Sequence, residues 1–214
     1  MLYSILLFYN LKMFSVAAVQ SAFHEALVQD QDVDIKNYVL AYQELCKFCS
    51  HLGGLFSFVV NDLEDKIGCL NQLVTEDELH FSTVQNMLNH ETSNKLVFSG
   101  RSGSVTLLRL HRGLEFIILF MSKLLKLQPN DSTKRSAQEA YSQTLAKHHS
   151  WLIRNGALFA MNFLPCQRAL YDQTIGNTSV EETLNTMPEM ISKASKVHER
   201  VNNLLSDYEI LNIP

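Results

Sequence analysis

The stretch VTLLRLHRGLEFIILF, residues 105–120, sets the terms on which this chain can fold. It holds ten residues that belong inside a protein, and two arginines. Continued to about Leu127, its apolar residues run round most of a helical cylinder. It therefore predicts a central, largely buried helix that other elements must surround. Arg109 and Arg112 are the difficulty. A guanidinium is always charged, and burying it unpaired is costly. These side chains must reach water, pair with protein carboxylates, or hold an anion from outside.

The surrounding elements also read as helices. Phe14, Val16, Val19, Phe23 and Leu27 stand near helical spacing, and Tyr38, Ala41, Leu45, Phe48 and Leu52 form one stripe over 34–52. Gly53 and Gly54 mark a break before 55–74, which is apolar at first and charged at its centre. Thr75 with Glu78, and Ser179 with Glu182, read as capping boxes that open further helices. SGRSGS (99–104) and QPNDSTKRS (128–136) read as loops, and one or two helices lie between 137 and 164. Period-two alternation, internal repeats and linkers are absent, and glycine (8) and proline (4) are scarce in 214 residues. The fold class that follows is all-α, one domain, with seven or eight helices. Residues 1–12 read as an apolar N-terminal extension, and 13–214 as the domain.

Charge and cysteine usage exclude several classes. A net charge of −4 with no basic run gives no means of tracking a phosphate backbone, so nucleic acid is not an expected partner. No stretch approaches the ~18 uninterrupted apolar residues of a membrane span. The apolar start MLYSILLFYNLKMF lacks a basic beginning and is broken by Asn10 and Lys12, so it makes a poor signal peptide. Cys46 and Cys49 form a lone C-x-x-C, without the further ligands of a zinc site or the βαβ setting of a redox motif. They read as two small apolar residues on a helix, and neither a metal nor a cofactor is expected. Four free thiols suit a reducing, cytoplasmic compartment. The sequons at Asn130 and Asn177 matter only in a secreted chain.

The chemistry must come from polar residues that interrupt apolar faces. Asp62 and Lys66 are four apart and share one helix face. Arg109 and Arg112 are three apart on the central helix. His149 follows His148, two residues before the one tryptophan, Trp151. Each has a plainer reading: a surface pair, an Arg112–Glu115 pair, a helix end that suits a cation. Their order, however, is informative. LGGLFSFVVNDLEDK, then LLRLHRGLEFI, then HHSW, then LLSDYEILNIP resembles the glycolipid transfer protein superfamily, and within it the ceramide-1-phosphate transfer proteins. The likeness runs from about residue 9 to Pro214.

The resemblance implies a two-layer all-α sandwich of about eight helices with lipid chains between the layers. It implies a non-enzymatic carrier that moves one sphingolipid at a time between membranes. By resemblance, Asp62 accepts from the lipid amide N–H, His149 donates to the amide carbonyl, and Lys66 and Arg109 bind a phosphate. Glycolipid-selective members have tryptophan where Arg109 stands and asparagine where Lys66 stands. Two cations there point to an anionic headgroup, because a phosphate rewards charge and a sugar a flat apolar face. Phe48, Phe56, Phe58, Val59, Phe116 and Ala157 would line the chain pocket, although stripes at helical spacing are also what ordinary core looks like. Trp151 would dock the protein on a bilayer surface, or else be core. The partners expected are thus a ceramide 1-phosphate-like ligand and a membrane surface, with the protein a cytoplasmic monomer.

Two departures matter. The phosphate-selective pattern has a second arginine one turn before Arg109, where this chain has Val105; Arg101 or Arg112 would have to compensate. Ser150 replaces the proline usual between the histidine and the tryptophan, which touches the local turn more than the chemistry. The rivals are a glycolipid carrier, a scaffold of the same fold without transfer, and a hydrolase using His149. No G-x-S-x-G elbow or metal-ligand motif supports the last.

Overall fold

The computed structural model describes residues 13–176 and 178–213. The N-terminal extension and the sequon residue Asn177 lie outside the described residues. Among the described residues ten α-helices follow one another: α1 (Val16–Ala26), α2 (Ile35–Ser50), α3 (Ser57–Glu76), α4 (Glu78–Phe81), α5 (Val84–Ser93), α6 (Gly103–Leu124), α7 (Lys134–Gln143), α8 (Trp151–Met161), α9 (Gln167–Thr174) and α10 (Val180–Asp207). Single 3-10 turns at Gly54–Phe56 and Leu145–His148 lead into α3 and towards α8. The described residues contain isolated bridges but no strand.

Side chains at the helix starts set most boundaries. Ser15, Asp34, Thr83, Ser102 and Ser179 each accept from the backbone N–H three residues on, satisfying a donor the helix itself cannot. Ser179 caps α10 as the sequence indicates. Thr75 does not cap a helix: it lies inside α3, and its hydroxyl donates to the Asn71 carbonyl at 2.8 Å. The cap falls at Asp77, so the region between 75 and 91 is two helices, not one. This split, the separate α7 and α8, and the short α9 after Pro165 raise the number from about eight to ten. Gly53, at φ +95°, makes the expected break before α3.

Helix α6 is central as expected, packing against α3, α5, α7 and α10. The pairs α10–α1, α1–α2, α2–α3 and α3–α6 then close a circuit around the core. Helix α10 contributes Thr183, Met187, Met190, Ala194, Val197, Val201 and Leu205, at steps of three or four residues that keep one stripe inward. Cys46 and Cys49 are buried free thiols of α2. Burial pushes the Cys49 thiol up to about 12, with Cys46 adding to the shift, so it behaves as the apolar filler the sequence suggests.

The start of α6 is pinned by a buried carboxylate. Glu91, 2% exposed, accepts from Gly103 N–H (2.7 Å), Ser104 N–H (2.8 Å) and Ser102 hydroxyl (3.0 Å). Three hydrogen bonds and the positive end of the helix offset the cost of burying that charge. Gly103 makes room for its neighbours: a Cβ there would sit 2.4 Å from Met87 Sδ and 3.1 Å from Leu73 Cδ1, so the Met87 side chain would have to move. Further along the same helix, His111 stacks on His198 of α10, ring centroids 4.0 Å apart and planes within 16°. His111 Nδ1 and His198 Nε2 are buried without a hydrogen-bond partner. Among the described residues, no helix is long and apolar enough to cross a membrane.

Candidate functional site

The site is built where α3, α6 and the approach to α8 meet. Asp62 and Lys66 occupy consecutive turns of α3, and the Lys66 ammonium reaches back to the Asp62 carboxylate and, at 3.4 Å, its carbonyl. The Lys66 side chain is largely covered (14% exposed) while Asp62 stays open (65%). The carboxylate's free lone pairs therefore face solvent.

His149 is half-buried and extended, between the Leu145–His148 turn and α8. Its Nδ1 lies 2.8 Å from the Tyr141 hydroxyl of α7. Desolvation, more than any single charge, pulls its pKa below the usual histidine value. Asp62 pulls upward, and Lys66 and Arg154 push further down. Asp62, Lys66 and Arg154 are thus the charged groups near enough to His149 to act on it. Burial raises the Tyr141 pKa, so its hydroxyl stays protonated.

Ser150 replaces proline without loss of the turn. Its φ is −60°, which is where proline would hold it, and its side chain accepts from Ile153 N–H as the N-cap of α8.

The two arginines of α6 part company. Arg112 does not pair with Glu115, as the spacing suggests. Its guanidinium donates to the carbonyls of Leu211 (3.2 Å) and Ile213, while Glu115 faces Lys147 at 3.8 Å. Arg112 is structural, but it clamps the C-terminal backbone instead of a carboxylate. Its pKa is lowered by desolvation first and by nearby Arg109 second. Arg109 itself is exposed and has no hydrogen-bond or ion-pair partner among the described residues. Val105, one turn earlier, is half-buried against the core. Arg101 pairs with Glu76 at 2.9 Å and is not a spare cation. Sequence reasoning overlooked Arg154, whose guanidinium donates to the His149 carbonyl at 3.3 Å. The one available signal was its place a turn beyond Trp151's neighbour Ser150.

The apolar residues divide by depth. Phe48, Phe56 and Ala157 are buried, Val59 and Phe116 partly so, and Phe58 is 48% exposed. Phe116 stacks on Phe120 and meets Tyr141 edge-on, so it links the aromatic interior to the ring that touches His149. Trp151 is not core: it is 75% exposed, and Leu152 (74%), Ile153, Phe159 and Phe163 of the same region are exposed with it. Large apolar side chains exposed in number along one short segment mark a candidate contact surface.

Comparison with known proteins places this arrangement. Residues 33–176 match the family model described as Glycolipid transfer protein (GLTP). The chain is 32% identical over 210 residues to the ceramide-1-phosphate transfer protein of Xenopus tropicalis, covering 94% of this chain and 97% of that protein. Mouse ceramide-1-phosphate transfer protein in its apo form has the same fold, with a TM-score of 0.88 at 28% identity over 94% of this chain and 100% of that one. The human protein in complex with 12:0 ceramide-1-phosphate gives a TM-score of 0.84 at 26% identity, again over 94% and 100%. With the all-α fold, the helix order and the family match in agreement, the chain belongs to the glycolipid transfer protein family.

Proposed function

We propose that this protein carries one sphingolipid with a phosphate headgroup, of the ceramide 1-phosphate kind, between membranes and leaves it chemically unchanged. The observation that carries this reading is Arg109: an exposed guanidinium on a buried helix, beside a second guanidinium, with no partner among the described residues to neutralise it. An incoming phosphate supplies the missing charge, and Lys66 turns from Asp62 to share it. Asp62 then accepts from the lipid amide N–H. Tyr141 donates to His149 Nδ1, which leaves Nε2–H to donate to the amide carbonyl. Phe48, Phe56, Phe58, Val59, Phe116 and Ala157 solvate the lipid chains, at ~0.8 kcal/mol for each CH₂ withdrawn from water. The exposed face around Trp151 rests on the bilayer surface during pick-up and release. The protein acts as a monomer in the cytoplasm and performs no catalysis. The similarity to ceramide-1-phosphate transfer proteins supports the choice of headgroup.

Vesicle-to-vesicle transfer assayed with a fluorescent ceramide 1-phosphate and with a fluorescent glucosylceramide tests the reading. The phosphorylated lipid is expected to move and the glycosylated one to stay. Movement of the sugar lipid alone makes this a glycolipid carrier, and movement of neither leaves a scaffold.

Asp62→Val is expected to slow transfer of every sphingolipid by roughly one to two decades, since it removes a charge-assisted hydrogen bond of ~1.5–3 kcal/mol to a group all of them share. A loss confined to phosphorylated ligands would show instead that Asp62 acts only by holding Lys66.

Val105→Arg should tighten ceramide 1-phosphate binding by roughly tenfold or more. Positions 105 and 109 are one helical turn apart, so two guanidinium forks reach one phosphate. Val105 is half-buried, so the new side chain must lay its stem along the core and extend its head to water. The gain should shrink in high salt. Equal affinity of variant and parent in a salt titration would count against a phosphate at this position.

A further inference from the structure

Away from the headgroup site, three metal-ligating side chains converge at the corner where α3, α4 and α5 meet. Asp77, His80 and His90 each offer a ligand atom within 4.8 Å of the other two, and all three are partly exposed. Asp77 is the junction residue between α3 and α4. Its carboxylate accepts from the His80 backbone N–H at 3.2 Å and lies 2.7 Å from His80 Nδ1. His90, on the last turn of α5, lays its ring against that of His80, with centroids 4.2 Å apart and planes 32° from parallel. Phe81 backs His90 edge-on at 5.5 Å. The ring nitrogens of His90 have no hydrogen-bond partner among the described residues.

Two imidazoles pressed together would repel each other if both were protonated, and as neutral rings they gain little from contact alone. A cation between their nitrogens reverses that balance. We propose that Asp77, His80 and His90 form a binding site for a divalent transition metal of the zinc type. Two imidazole nitrogens and one carboxylate oxygen are a donor set that suits zinc, with water completing the shell. Donors around a tetrahedral zinc stand about 3.3 Å apart, so Asp77 and His80, now 2.7 Å apart, open slightly and His90 adjusts from within 4.8 Å through side-chain rotation. His80 and His90 lie on two helices joined by only Ser82 and Thr83, and Asp77 caps the first of them, which limits how far the three can drift.

The placement gives the metal a structural consequence. Glu76, just before Asp77, pairs with Arg101 in the loop that enters α6. Glu91, just after His90, holds the first N–H groups of α6. A metal here ties the end of α3, which carries Asp62 and Lys66, to the support of α6, which carries Arg109. It adjusts the stiffness of the scaffold and touches no lipid.

The test is calorimetric titration of ZnCl₂ into tag-free, chelator-stripped protein, repeated with His90→Gln and Asp77→Asn. Asparagine keeps the helix cap while removing the charge. The parent is expected to bind one zinc per chain with micromolar or tighter affinity and to melt at a higher temperature when loaded. Each variant should lose roughly tenfold or more in affinity while melting normally without metal. Cobalt(II) loading should give a spectrum free of thiolate charge-transfer bands. Absence of saturable binding below roughly 100 μM overturns the proposal. So does undiminished binding by His90→Gln, or a thiolate band showing that cysteines hold the metal.

Discussion

Arg109→Leu is expected to cut transfer of a phosphorylated ceramide by roughly a hundredfold or more and to leave the fold intact. A guanidinium grips a phosphate with two parallel charge-assisted bonds, each worth ~1.5–3 kcal/mol, and ~1.4 kcal/mol is a decade in affinity. The fold should not suffer, because Arg109 is exposed, has no partner among the described residues, and its charge presses on that of Arg112. The variant should melt at or slightly above the parent's temperature. The assay is vesicle transfer beside thermal unfolding of the same preparation. Parent-like transfer by a folded Arg109→Leu protein would remove Arg109 from the headgroup site.

Mild acid is expected to destabilise the protein through the stacked pair His111 and His198. His111 is 4% exposed, and desolvation, reinforced by the neighbouring His198, pushes its pKa from 6.5 down to about 3. Arg112 and His148 push the same way, and Asn202 opposes. Desolvation also lowers His198, against the pull of Glu115. The unfolded chain therefore binds protons more readily than the folded one. The stability due to a neutral His111 is fully present above about pH 6.5 and is lost progressively as pH falls towards about 3. The loss should be about 2 kcal/mol by about pH 5, and on the order of a few kcal/mol at the acid end. Urea unfolding at about pH 7 and about pH 5 reads it. His111→Gln should flatten the difference, and a variant as acid-sensitive as the parent would place the proton elsewhere.

What could be read in advance follows from the range of the forces involved. The all-α class and the central place of α6 are legible because apolar periodicity is local and continuous. The Asp62–Lys66 pair is legible for the same reason. The Thr75 box misleads because Thr-x-x-Glu also occurs inside a helix, where the hydroxyl simply bonds back to Asn71. Arg112 reads as structural, but what it holds could not be read. Its partners are backbone carbonyls about a hundred residues away, which no side-chain pattern encodes. Phe58 and Phe48 look alike in sequence; only the packing of α2 and α3 buries one and exposes the other. Spacing offers no means of joining Asp62, Arg109 and His149, which lie on separate elements; it took the order of motifs along the chain to group them. Arg154 escaped because nothing local distinguishes it from any other arginine on an exposed helix.

The clamp between Arg112 and the carbonyls of Leu211 and Ile213 makes the segment after α10 an electrostatic sheath. While the segment is in place, one of the two guanidiniums on that turn of α6 is occupied by peptide dipoles, and only Arg109 is presented to the outside. A cut between Asp207 and Leu211 that released this segment would uncover a second cation beside the first without altering any residue of α6. The nicked molecule would attract anions more strongly than the intact one.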